Sequence, residues 1–86
     1  MRATIPERVV YKKVGEEMVL LDFERGVYYG LNPVGARVWE LLAEGKTAHE
    51  IVNLLTDEFD VPRTDAAGDV SALMDDLAAN GLVSLE

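Results

Sequence analysis

The sequence predicts an α+β fold in which a three-stranded antiparallel sheet precedes three helices. Three observations carry this expectation. Residues ~8–31 hold short runs of β-branched and aromatic residues separated by glycine turns. At Asn32-Pro33 the apolar pattern changes from period two to the helical period of ~3.6 residues. Beyond that point a helix start, an apolar stripe and a stop signal recur three times.

Val9-Val10-Tyr11 reads as the first strand and Gly15-Glu16-Glu17 as a turn. Met18 to Phe23 forms the second strand, with Val19, Leu21 and Phe23 sharing a face. Glu24-Arg25-Gly26 is the next turn, because Gly26 tolerates the positive φ of a tight hairpin. Val27 to Leu31 is the third strand. Val27, Tyr29 and Leu31 fall on one side of it, Tyr28 and Gly30 on the other.

Asn32 caps the first helix and Pro33 suits its first turn. Val34, Val38, Leu41 and Leu42 make its stripe, with Trp39 at the margin, and Gly45 ends it. Thr47 and Glu50 have the spacing of a capping box for the second helix. Its stripe is Ala48, Ile51, Val52, Leu55 and Phe59, and Asp60-Val61-Pro62 stops it. Thr64 or Asp65 opens the third helix, whose stripe is Val70, Leu73, Met74 and Leu77, and Gly81 closes it. Leu82 to Leu85 is a short extended tail. The order β-β-β-α-α-α is winged-helix-like.

Residues 1–86 make one small domain, too short for a deep catalytic cleft with its own supporting shell. Cysteine is absent, so disulfides, thiolate metal sites and a cysteine nucleophile are excluded. No apolar run approaches the ~20 residues that span a bilayer, and the N-terminus lacks the apolar core of a signal peptide. The expected location is therefore the cytoplasm. Charge is uneven. Residues 1–31 hold five basic and five acidic side chains, whereas residues 32–86 hold three basic against eleven acidic, which is the whole net charge of −8. That half repels a nucleic-acid backbone and attracts a basic segment.

Little in the chain points to chemistry. The one histidine, His49, has no second histidine near it and reads as a surface residue. Asp57-Glu58, Asp75-Asp76 and Glu16-Glu17 are sequence neighbours; on a helix such neighbours point about 100° apart and do not converge. No phosphate loop or catalytic triad can be assembled, so no catalytic residue, metal ligand or cofactor is expected and the protein is not read as an enzyme. A winged-helix DNA-binding domain would need a basic recognition helix, which is missing here. A carrier domain would need an Asp-Ser-Leu-type attachment site, and Ser71 and Ser84 lie in other contexts. What remains is the strand Val27–Leu31, whose unpaired edge is able to accept an extended peptide as a further strand.

The stretch LNPVGARVWELLAEGKTAHEIVNLL, followed by DVSALMDDLAANGLV, resembles the PqqD-like recognition elements for ribosomally made, post-translationally modified peptides. The likeness runs over roughly residues 8–85, and DFERGVYYGLNPVG is most similar to the free-standing leader-recognition proteins of lasso-peptide pathways. A PqqD-type peptide chaperone of another pathway is the alternative. The resemblance implies that a precursor's leader peptide adds antiparallel to the third strand, with side chains entering a groove beside the third helix. It also implies a separate cysteine-protease leader peptidase as partner. Carried onto this chain, the edge is Val27, Tyr28, Tyr29, Gly30 and Leu31. The facing wall is Val70, Leu73, Met74 and Leu77, shared between groove and core. Asp69 and Asp76 lie seven residues apart on one helical face, at the rim, where a basic leader residue would meet them. The sheet face around Tyr11, Lys12 and Lys13, the one local basic cluster, is a candidate docking surface for the peptidase, with an ordinary solvated strand as the other reading.

Overall fold

The computed structural model describes residues 2–86. Strand β1 (Ala3–Thr4) is followed by β2 (Val9–Val14), β3 (Glu17–Asp22) and β4 (Val27–Leu31), then α1 (Pro33–Ala43), α2 (Ala48–Phe59), α3 (Arg63–Ala79) and β5 (Ser84–Leu85). The main sheet is antiparallel in the order β2-β3-β4, so β4 pairs through one edge only. The expected sheet-then-helices architecture is present. A second, two-stranded pairing of β1 with β5 joins the chain ends, with Ala3 opposite Leu85. Two residues at each end were too short a run to read as strands.

Local signals explain the helices. The Asn32 side chain accepts from the Gly35 amide at 2.8 Å, with Pro33 in the first turn. Thr47 and Glu50 form the reciprocal capping box, at 3.2 and 2.9 Å. Both α1 and α3 end in Schellman motifs. At α1, Lys46 N–H donates to Leu41 C=O and Gly45 N–H to Leu42 C=O, each at 3.0 Å. At α3, Leu82 N–H donates to Leu77 C=O at 2.9 Å and Gly81 N–H to Ala78 C=O at 3.0 Å. Gly81 suits the turn because its φ is +71°, and a Cβ there would displace the Arg25 guanidinium beside it. Helix α3 starts at Arg63, one residue before the earliest expected start, with Pro62 at the N-cap.

The core corrects the apolar faces in two places. On β3 the buried face is Met18, Leu20 and Asp22, while Val19 and Phe23 point to solvent and Leu21 is half-buried. Both faces of this strand are apolar, so alternation alone does not choose between them. Asp22 turns inward because its charge is met there. Trp39, at the margin of the α1 stripe yet expected in the core, is fully buried and meets Tyr11 edge-on at 5.4 Å between ring centroids. Helix α1 lies between sheet and helices, and its buried arc is therefore wider than one stripe. Val34 and Phe59, expected inside, are exposed at 38% each. Val34 stands in the first turn of α1 and Phe59 in the last turn of α2, where neighbours no longer surround the helix.

Asp22 fastens the β3–β4 hairpin to the end of α3. Its carboxylate accepts from the Arg8 and Arg25 guanidinium groups at 3.0 and 2.8 Å and from the amides of Glu24 and Arg25 at 3.1 Å each. Arg8 also donates to Gly81 C=O at 2.8 Å, and Arg25 donates to Asn80 C=O. Two cations thus sit at the negative end of the α3 dipole. Burial alone would raise the Asp22 pKa. The Arg25 side chain, the Arg25 amide and the Arg8 side chain outweigh it and bring the carboxyl from 3.8 to about 2.

Candidate peptide-binding edge and groove

The free edge of β4 borders the mouth of a cleft. Beside the strand, between it, the start of α1 and the middle of α3, lies a cleft of about 470 Å³. Tyr29, Gly30, Leu31, Asn32, Val34, Gly35, Val38, Leu55, Asp69, Val70 and Leu73 line it. Leu31, Val38, Leu55 and Val70 are buried and form an apolar floor. Exposed Asn32 and Asp69 and the half-buried Leu73 and Tyr29 supply the walls. This combination of unpaired backbone with an apolar hollow is what strand addition requires: ladder hydrogen bonds hold the peptide, and pockets take alternate side chains.

The expected residues separate into four groups. Tyr29, Gly30, Leu31, Asp69, Val70 and Leu73 meet in the cleft. Asp76 joins them through Tyr29, whose hydroxyl donates to the Asp76 carboxylate. That bond, followed by burial, raises the Tyr29 phenol from 10.0 to about 12. Val27 is half-buried further back on the strand, and Tyr28 points to the opposite sheet face, 72% exposed. Met74 and Leu77 are buried, Met74 toward the α2 side with Val52 and Ala67, and neither lines the cleft. Of the apolar stripe on α3, Val70 gives floor and Leu73 gives wall.

Asn32, Val34, Gly35, Val38 and Leu55 were not expected in the site. The first four reach it because α1 turns across the end of β4 directly after the strand stops, and Leu55 comes to the floor from α2. Gly35 packs tightly there: a Cβ would lie 3.3 Å from both Asn32 Oδ1 and Leu31 Cδ2. The Asn-Pro boundary marked the turn, but not which helical face would look into the cleft.

The basic cluster is divided by the sheet. Tyr11 faces Trp39, and Lys13 pairs with Glu40 at 3.5 Å, both on the inner side. Lys12 is opposite Val19 on the outer side. Among the described residues no group of three or more His, Asp or Glu side chains is placed to hold a metal ion, and no helix is long and apolar enough to cross a membrane.

The family model for coenzyme PQQ synthesis protein D, PqqD, matches residues 17–83. The chain belongs to the PqqD family. A comparison with curated proteins finds no match. Two solved structures are similar to this PqqD-family chain along its whole length. One is TbiB1 in complex with the TbiA(beta) leader peptide, with 36% identity and a TM-score of 0.90, covering 100% of this chain and 98% of that one. The other is a lasso peptide synthetase B1 complexed with the leader peptide, with 30% identity and a TM-score of 0.90, covering 99% and 100%. The PqqD match begins at β3, so it takes in β4, the cleft and all three helices.

Proposed function

We propose that this PqqD-family protein binds the leader segment of a ribosomally synthesised precursor, in lasso-peptide biosynthesis, as an antiparallel strand on β4. The unpaired edge of β4 beside the apolar cleft carries the reading. It is supported by two relatives of matching fold that are complexes with leader peptides. The protein works without catalysis, cofactor or metal, in the cytoplasm. Its contacts are Val27 to Leu31 on the edge, Leu73 and Val70 in the groove, and Asp69 at the rim for a basic leader residue. Met74 and Leu77 support the groove from inside.

Binding becomes function by delivery. A held leader makes the encounter of the scissile site with a separate leader peptidase effectively intramolecular, which gains on the order of 10²–10⁴ in avidity. The surface free for that enzyme is the outer sheet face, where Val10, Val19 and Tyr28 are exposed around the half-buried Leu21 and Lys12 stands beside them.

Proline scanning of β4 tests strand addition. Along an antiparallel edge strand, alternate residues turn their N–H to the neighbour and to the open side. Proline at one of Tyr28 and Tyr29 should therefore unfold the β3–β4 ladder. Proline at the other should leave circular dichroism unchanged and reduce affinity for the TbiA(beta) leader by roughly tenfold or more, the loss of about one hydrogen bond and its desolvation. Two folded variants with undiminished affinity would rule out pairing along β4.

A further inference from the structure

Tyr29 leaves β4 on its inward side and reaches across the groove to α3, where its hydroxyl donates to the Asp76 carboxylate. The cleft ends at this bridge. Its lining runs from Asn32 back to Tyr29 along the strand and from Asp69 to Leu73 along the helix, and it includes none of Val27, Asp76 and Leu77. The bond to Asp76 raises the phenol's pKa, so the donor keeps its proton well above neutrality. Asp69 and Asp76 therefore do different work: the first lines open space, and the second is already engaged.

We propose that the Tyr29–Asp76 bridge is a crossbar that fixes the register of the bound peptide and restricts the size of one of its side chains. The proposal rests on the reading of β4 as the peptide edge. A strand added antiparallel to β4 alternates in phase with it, so its residue opposite Leu31 faces inward, into the cleft. The next residue lies beside Gly30, whose outer face is open; a Cβ placed there meets nothing within 4 Å. The third lies opposite Tyr29, faces inward and meets the crossbar. In the N-to-C direction the peptide is thus read as large, unrestricted, short. At the third position a long aliphatic side chain collides with ring and helix. An acidic one lies against the Asp76 carboxylate with no counter-charge.

The test uses synthetic TbiA(beta) leader peptide and a series in which each residue in turn is Ala, Leu or Asp. Affinities are measured for wild type, Tyr29→Phe and Asp76→Ala, with amide shifts of β4 followed by NMR. Wild type should show one position at which Leu binds roughly tenfold or more worse than Ala, a penalty of the size a crowded pocket imposes. It should lie two residues C-terminal to the position whose truncation costs most. In Asp76→Ala and in Tyr29→Phe, which both unlatch the ring, the Leu-to-Ala ratio at that position should fall below about threefold. A merely structural bond would lower the melting temperature and leave the ratio unchanged, which would overturn the proposal. If β4 amides do not shift in wild type, the peptide-edge reading itself fails, and the crossbar with it.

Discussion

Asp22 shows how one residue can reverse the sense of an apolar pattern. Val19, Leu21 and Phe23 are the more hydrophobic-looking set on β3, yet Met18, Leu20 and Asp22 are the buried one. A buried carboxylate is costly unless it is paired and fully hydrogen-bonded. Here Arg8 and Arg25 come from 14 residues before and three residues after it in sequence, and only folding brings the first of them close. The sign of its pH dependence follows from its lowered pKa. A carboxyl that titrates at 3.8 when unfolded and about 2 when folded stabilises the fold above pH ~4. That contribution is lost as pH falls from about 4 through about 2. Thermal melts across this range should show a falling melting temperature in wild type. In Asp22→Asn the fold should melt lower at pH 7, by on the order of ten degrees, and the Asp22 share of the acid transition should be absent. An unchanged acid profile in the variant would assign acid lability to other carboxyls.

Helix α3 divides its labour along its length, and this could not be read from its stripe. Val70, Leu73, Met74 and Leu77 share the periodicity of a single buried face. In the structure Leu77 and Met74 are core, Val70 is both core and cleft floor, and Leu73 stays half-buried on the cleft wall. Periodicity reports which side of a helix is apolar, but the neighbouring elements, here α2 and β5, decide where along that side there is something to pack against. Alanine substitutions should therefore part company. Leu77→Ala should cost about 2–5 kcal/mol of stability, as cavity-forming core changes do. Leu73→Ala should cost less than about 1 kcal/mol of stability and weaken leader binding by about 2 kcal/mol, as an anchor in a groove does. Chemical denaturation and peptide titration on the same two proteins check this. Equal destabilisation with equal affinity would move the groove away from α3. By contrast, the capped helix ends were legible to the residue, because caps are local: Asn32, Thr47 with Glu50, Gly45 and Gly81 each do what their position implied, whereas α3, which has no side-chain cap at its start, begins earlier than expected.

At the scale of the whole molecule, the three-stranded sheet presents the free edge of β4 on one side, an apolar outer face, and an acidic helical half behind. The arrangement suits an adaptor that holds a peptide along β4 while a second protein covers the sheet. Val10→Glu and Lys12→Glu on β2 lie two strands away from the β4 edge and should leave leader affinity within about twofold. Peptidase turnover of full-length precursor at limiting concentration should nevertheless fall by tenfold or more, since avidity is lost when simultaneous engagement is blocked. Cleavage that is the same with and without the protein would sink delivery. The sequence by itself determined the sheet-then-helices order, the capped helix ends and the strand Val27–Leu31, since period, caps and turn residues act over a few neighbours. It also carried the resemblance that the PqqD match establishes as family. Only the tertiary structure decided which face of β3 is inside, which residues of α1 and α3 open onto the cleft, and that Tyr29 spans it to Asp76. Those outcomes depend on groups distant in sequence meeting in space. Burial and charge pairing are properties of that meeting, and no local pattern encodes them.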